Sequence, residues 1–433
     1  MTMTRARGLL LPIILIVSLF FLWGMANNLN DILIKQFKKA FTLTDLQTGF
    51  VQSAFYIGYF LLALPAGLVM RRFGYKTGVV IGLVLYGAGA LLFYPAAQAH
   101  AYEMFLLALF VIAAGLAFLE TSANPLITVL GPPETSERRL NLAQAFNPLG
   151  SITGLLIGKY LILSGVEHSE ASLSAMSEAE RVAYYSAEAQ AAQGPYIAIG
   201  VFVLFWAMLV ALTRFPDRAS APQRAEEASK VGWREAIAGA FRSRRLIGGV
   251  VAQFFYVGAQ VGIWSYTIAY AQAATGIGER SAADWVIAAT LLFLVGRFVG
   301  TALMTRVDAT RLMTIYAVIG IVLALAAALL GGWAGLVALT CISFFMSIMF
   351  PTIFAVSVKD LGPYTQTGAS LVVMAIVGGA VLTPIMGAIS TYISINAAML
   401  VPAVCFVAVA WFGFANSRAS DRVGAQLRGQ GGH

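Results

Sequence analysis

Charge is what this chain has least of. Only 11% of its 433 residues are Asp, Glu, Lys or Arg, and 59% are hydrophobic. Water-soluble domains carry about 25% charged residues, so a soluble fold is excluded, and the mean hydropathy of +0.80 agrees. The two cysteines, Cys341 and Cys405, both lie in apolar segments. They offer neither a disulfide framework nor metal-ligand spacing. The three histidines, His100, His168 and His433, stand far apart. No GxSxG, HExxH or Walker loop occurs, so an enzyme is not expected, and no cofactor or metal is implied. The short alternating runs of a membrane barrel are missing as well.

What the chain does have is long apolar runs, each able to cross a hydrocarbon core about 30 Å thick as a helix. Twelve spans are expected, near 9–34, 47–70, 77–98, 102–130, 140–163, 195–213, 246–273, 284–305, 312–331, 333–358, 365–390 and 394–415. Pro125 and Pro351 fall inside two of the longest, where kinks are expected. Arg5 and Arg7 before the first run look like a signal peptide. The run is too long for one and lacks a small-residue cleavage site, so it reads as an uncleaved first helix.

The net charge of +8 is topological and implies no nucleic-acid partner. With the N-terminus in the cytoplasm, the cytoplasmic segments carry 21 of the 28 Lys and Arg, and the outer segments carry 5. Both termini are therefore expected in the cytoplasm. Lys35, Lys38 and Lys39 in the first outer loop are a local exception. A basic stretch at 214–245 divides the spans into six plus six. The expected organisation is an N-terminal six-helix bundle over 1–213, a cytoplasmic linker over 214–245 and a C-terminal six-helix bundle over 246–433.

The halves echo each other. FFLWG at 20–24 matches FFYVG at 254–258, and FYIGYF at 55–60 matches FLVGRF at 293–298. Pro125 matches Pro351, and NPLGSITG at 147–154 aligns loosely with AIVGGAVL at 375–382. Four correspondences in the same order indicate a duplicated six-helix unit, the signature of a transporter with its site near the membrane midplane. GLVMRRFGYK at 67–76 looks like the loop motif of the major facilitator superfamily, with Arg71 in place of the usual acid.

Polar residues inside spans single out the candidate site. In NNLND, Asn27 and Asp31 share a helical face with Trp23, and Asn28 stands three before the acid. An ionised Asp at the centre of an isolated span costs about 2.5–3.5 kcal/mol, which favours a cavity, a partner or protonation. Glu120 lies deep in the fourth span with Asn124 one turn on. Burial favours the neutral form of a carboxyl, which suits Glu120 to proton exchange. Gln144, Asn147 and Ser151 form a stripe at i, i+3, i+7. Amides suit a sugar because they offer donor and acceptor side by side to vicinal hydroxyls. Structural alternatives are an ion pair for Glu120 and interhelical hydrogen bonding for the stripe. In the second half, Tyr256, Gln260 and Trp264 recur every four residues, with Phe293, Phe350 and Gln366 as further inward candidates. Arg297, the one basic residue deep in the eighth span, is assigned to structural pairing.

NNLNDIL, QSAFYIGYF, LETSANPLITVLGP, RLNLAQAFNPLG, QFFYVGAQ and FPTIF together closely resemble the bacterial fucose:proton symporter family of the major facilitator superfamily. The likeness covers nearly all twelve spans. It implies an all-α inner-membrane protein of two six-helix bundles that moves L-fucose or a related hexose with a proton. It also implies that Asp31 and Glu120 are the coupling carboxylates, with Glu120 linked to sugar recognition and Asp31 to proton turnover. Gln144 and Asn147 match sugar-cavity positions, and Phe350 stands where that family is expected to carry a tyrosine. The expected substrate contacts are Asn27, Asn28, Asn124, Gln144, Asn147, Gln260, Trp264, Phe293 and Phe350. The expected partners are a monosaccharide, protons and lipid, and a monomer is expected. Rival readings are a transporter for glucose, galactose or N-acetylglucosamine, a drug/proton antiporter, and a membrane sugar sensor that does not transport.

Overall fold

The computed structural model describes residues 11–26, 45–99, 101–130, 132–157, 176–181, 183–184, 193–213, 215 and 232–430. Among these residues the regular structure is helical. The chain separates into two compact units. The first comprises Met1–Ala123 and Phe146–Pro222, the second Asn124–Ala145 and Gln223–His433.

In the first unit, α1 (Leu11–Ala26) is followed by α2 (Asp45–Gln98), α3 (Tyr102–Val129) and, beyond a short helix α4 (Ser136–Gln144), by α5 (Phe146–Ile157) and α6 (Gln193–Leu212). α2 is 54 residues long, far more than the roughly 20 that one crossing needs. It divides at Gly74, whose φ of 83° and ψ of 168° leave the helical region. Such a backbone favours glycine. The expected pair of spans, 47–70 and 77–98, thus meets at one residue of the GLVMRRFGYK motif. Beyond the bend, the Lys76 ammonium donates to the Ala211 carbonyl at 2.7 Å and ties the turn to the end of α6.

α1 and α5 touch backbone to backbone. A Cβ on Gly24 would lie 1.9 Å from the Asn147 oxygen, and one on Gly150 would lie 1.8 Å from the Phe21 oxygen. Gly150 and Gly154 form a small-xxx-small stripe of the kind that lets membrane helices approach closely.

The second unit contains α4 together with α7 (Trp233–Phe241), α8 (Arg244–Thr275), α9 (Glu279–Leu303), α10 (Ala309–Leu330), α11 (Gly332–Met346), α12 (Met349–Val358), α13 (Thr365–Met374), α14 (Gly378–Tyr392), α15 (Ile395–Ala398) and α16 (Leu400–Gln430). α10 packs along α16, and α8 packs against α14, α12 and α16. The internal repeat is visible in the packing. A Cβ on Gly378 would meet the Phe254 oxygen at 2.0 Å, and one on Gly258 would meet Leu382 at 2.1 Å. The eleventh span therefore rests on the seventh through a glycine, as α5 rests on α1.

The two kink expectations part company. α3 runs through Pro125 as one element. The tenth expected span breaks into α11 and α12 across Ser347 and Ile348, one turn before Pro351. Large side chains such as Leu329, Val404 and Trp411 are more than half exposed, as expected of surfaces that face hydrocarbon.

Candidate functional site

Glu120 sits on α3 in the first unit. Its side chain is 1% exposed, and neither carboxyl oxygen has a hydrogen-bond partner among the described residues. Thirteen apolar or small residues precede it back to Leu107, which is why the sequence already placed it deep. Tyr59 of α2 lies within electrostatic reach of the Glu120 carboxyl. Phe20 stacks on Trp23 at 5.8 Å, and Phe55 tilts against Tyr59 at 5.3 Å. The carboxyl thus lies near aromatic side chains of α1 and α2, and no basic side chain pairs with it among the described residues. An uncompensated carboxylate in such surroundings costs several kcal/mol, so this site is stable when it carries a proton or faces a polar solute.

Asn147 and Ser151 face α1. The Asn147 amide donates to the Phe20 carbonyl at 3.3 Å, and the Ser151 hydroxyl donates to the Gly24 carbonyl at 3.3 Å. Asn147 remains half-buried.

Gln144 does not join them. α4 ends at Gln144 and α5 begins at Phe146, because Pro148 has no N–H to return to the Gln144 carbonyl. The expected stripe of Gln144, Asn147 and Ser151 thus spans two elements, with Ala145 between them in the right-handed helical region. Gln144 belongs to the second unit, where its amide nitrogen donates to Asn124 Oδ1 at 2.9 Å.

Arg297 of α9 organises this second group. It is 3% exposed. Its Nε donates to the Ser347 carbonyl at 2.7 Å, and its Nη1 donates to the Gln144 carbonyl at 2.8 Å and to Gln144 Oε1 at 3.4 Å. Its guanidinium lies 4.7 Å from the centre of the Phe293 ring. Trp264 meets that ring edge-on at 5.2 Å and donates from its indole to the Ser343 hydroxyl at 3.3 Å. Four expected contact residues, Asn124, Gln144, Phe293 and Trp264, thus form one connected run with Arg297 at its middle. The sequence supplied the buried arginine and its structural assignment. It did not supply the partners, which lie about 50 and 153 positions away.

Phe350 packs edge-on against Tyr256 at 6.2 Å, and the Tyr256 hydroxyl donates to the Met346 carbonyl at 3.0 Å. Gln260 is half-buried. Gln366 is 4% exposed, with its amide oxygen unpartnered. Asn27, Asn28 and Asp31 lie outside the described residues. No group of three or more His, Cys, Asp or Glu that could hold a metal occurs among the described residues.

Comparison with known proteins agrees with this architecture. Residues 14–379 match the Major Facilitator Superfamily family. An Escherichia coli L-fucose-proton symporter is 45% identical over 96% of this chain and 94% of its own length. A Brucella abortus glucose/galactose transporter is 35% identical over 93% of each chain. A solved superfamily transporter, FucP in the outward conformation, shares 45% identity with a TM-score of 0.87, covering 94% of this chain and 99% of that one. A proton:xylose symporter at 14% identity and TM-score 0.68 shares the fold. On the family match, the near full-length relatives and the helical architecture, this chain belongs to the major facilitator superfamily.

Proposed function

We propose that the protein is a proton-coupled symporter of a monosaccharide, L-fucose or a related hexose, in the bacterial inner membrane. The observation that carries this reading is the Glu120 carboxyl, buried in α3 without a hydrogen-bond partner among the described residues. A membrane carboxylate in this setting is suited to take a proton from one side and release it to the other. The 45% identity to an L-fucose-proton symporter supports the choice of solute class. The amides of Asn124, Gln144 and Asn147, with Asn27 and Asn28, supply donors and acceptors for hydroxyls, and Trp264, Phe293 and Phe350 supply apolar faces for a pyranose. Glu120 links proton to sugar, and Asp31 turns the proton over. The protein acts as a monomer of two six-helix halves joined by 214–245, with both termini in the cytoplasm.

Protonation neutralises the site and permits reorientation by alternating access. One proton moving down 100 mV releases about 2.3 kcal/mol. At about 1.4 kcal/mol per factor of ten, that sustains roughly fifty-fold sugar accumulation.

A second reading, transport of glucose or galactose, is favoured by Phe350 in the place of an expected tyrosine and by the 35% identical relatives. Uptake of labelled L-fucose, D-galactose and D-glucose into proteoliposomes under an imposed pH gradient tests both readings. Concentrative uptake of one of them, abolished by a protonophore, is expected. Uptake driven by sodium alone, or binding without uptake, defeats the proposal.

A further inference from the structure

Two prolines and one arginine share a single geometry. Pro148 leaves the Gln144 carbonyl without its helical donor, and Pro351 does the same to the Ser347 carbonyl, each four residues upstream. Arg297 donates to both, at 2.8 and 2.7 Å. Buried carbonyls need a donor, and a planar guanidinium with five N–H groups can serve two at once.

The arginine also sets a direction. It has no acceptor, so the Gln144 side chain turns its oxygen towards Arg297. The Gln144 NH2 then faces the Asn124 oxygen, at 2.9 Å. That leaves the Asn124 NH2 as the far end of the run, fully buried and without a partner among the described residues. Each donation polarises the next group along the chain. The relay therefore ends in an oriented donor, one turn along α3 from Glu120.

We propose that Arg297 is a positioning residue for sugar recognition: by holding the two proline-released carbonyls and the Gln144 amide, it fixes the Asn124 NH2 as a donor to a solute hydroxyl. The inference rests on the sugar-transport reading. It gives Arg297 no contact with the sugar itself and makes Gln144 the intermediate.

The test is equilibrium binding of L-fucose and D-galactose to the purified full-length protein in detergent, alongside thermal melts. Arg297→Lys keeps the charge and loses the second arm. It is expected to weaken sugar binding about tenfold, the scale of one hydrogen bond. Gln144→Ala cuts the relay, and in that background Arg297→Lys is expected to cause no further loss, because the two act in series. Pro148→Ala returns an N–H to the Gln144 carbonyl and loosens the grip of Arg297 without touching it. It is expected to weaken binding in the same direction, and it covers the case in which Arg297→Lys does not fold. Losses that multiply in the double variant overturn the relay, as does wild-type affinity in both Arg297→Lys and Pro148→Ala. A wild-type protein that binds neither sugar defeats the transport reading and this inference with it.

Discussion

The Arg297 guanidinium donates to the Gln144 main-chain oxygen at 2.8 Å, joining α9 to the end of α4 across 153 positions of sequence. The same group reaches Ser347 between α11 and α12. Two helix breaks are therefore fastened by one side chain, and both breaks exist because a proline follows within a turn. A cation that satisfies carbonyls in this way has its charge spread over dipoles and the Phe293 face, which is how a buried arginine is tolerated without a carboxylate.

Glu120→Gln keeps the shape of the side chain and removes the titratable proton. The expected outcome is loss of concentrative uptake, by tenfold or more, in proteoliposomes under a pH gradient, while sugar exchange at equal pH continues. Normal accumulation in this variant means that Glu120 does not carry the coupling.

Trp264 and Phe293 meet edge to face at 5.2 Å. Trp264→Ala removes one wall and is expected to raise the sugar Kd more than Trp264→Phe, which loses only the indole N–H to Ser343. Titration of the two purified variants separates the apolar face from the hydrogen bond. Equal losses assign the effect to the N–H alone.

Phe350 lies edge-on to Tyr256. Phe350→Tyr adds one hydroxyl, and a site that hydrogen-bonds a substrate hydroxyl discriminates far more strongly than an apolar one. The expected result is a changed ratio of L-fucose to D-galactose uptake in competition assays, with little change in melting temperature. An unchanged ratio removes Phe350 from the specificity determinants.

Gly150 takes no Cβ, since one would sit 1.8 Å from the Phe21 oxygen. Gly150→Ala is expected to destabilise the protein by about 1–3 kcal/mol through overpacking, read as a lower melting temperature in detergent. Gly194, with nothing within 4 Å of its Cβ position, is the control. Gly194→Ala is expected to leave the melt unchanged or raise it slightly. Equal melts for the two variants contradict the close α1–α5 crossing.

Much of the fold was legible because membrane spans are written in composition. Apolar length alone marked α3, α6 and α10, since a chain in hydrocarbon must satisfy its backbone within each segment. The depth of Glu120 was legible for the same reason. The repeat of Gly150 and Gly378 was legible only as a loose alignment, and its meaning, a glycine lodged on the neighbouring backbone in each half, came from packing. For the stripe of Gln144, Asn147 and Ser151 the partners were not legible, because spacing does not say which neighbouring helix a side chain meets. Pro148, four positions past the C-terminal end of α4, interrupts the hydrogen bonding there, and Gln144 meets Arg297 while Asn147 and Ser151 meet α1.

The sequence by itself determined that this is a helical membrane protein built from a duplicated unit, with the Glu120 carboxyl and several amides held inside apolar spans. Those properties follow from hydrophobic length, charge distribution and side-chain chemistry, which are local. Only the tertiary structure decided that Arg297 closes two proline breaks, and that Gln144 and Asn124 are oriented from it. Hydrogen-bond partners separated by 50 and 153 residues are set by how helices pack, and no periodicity in the chain encodes that distance.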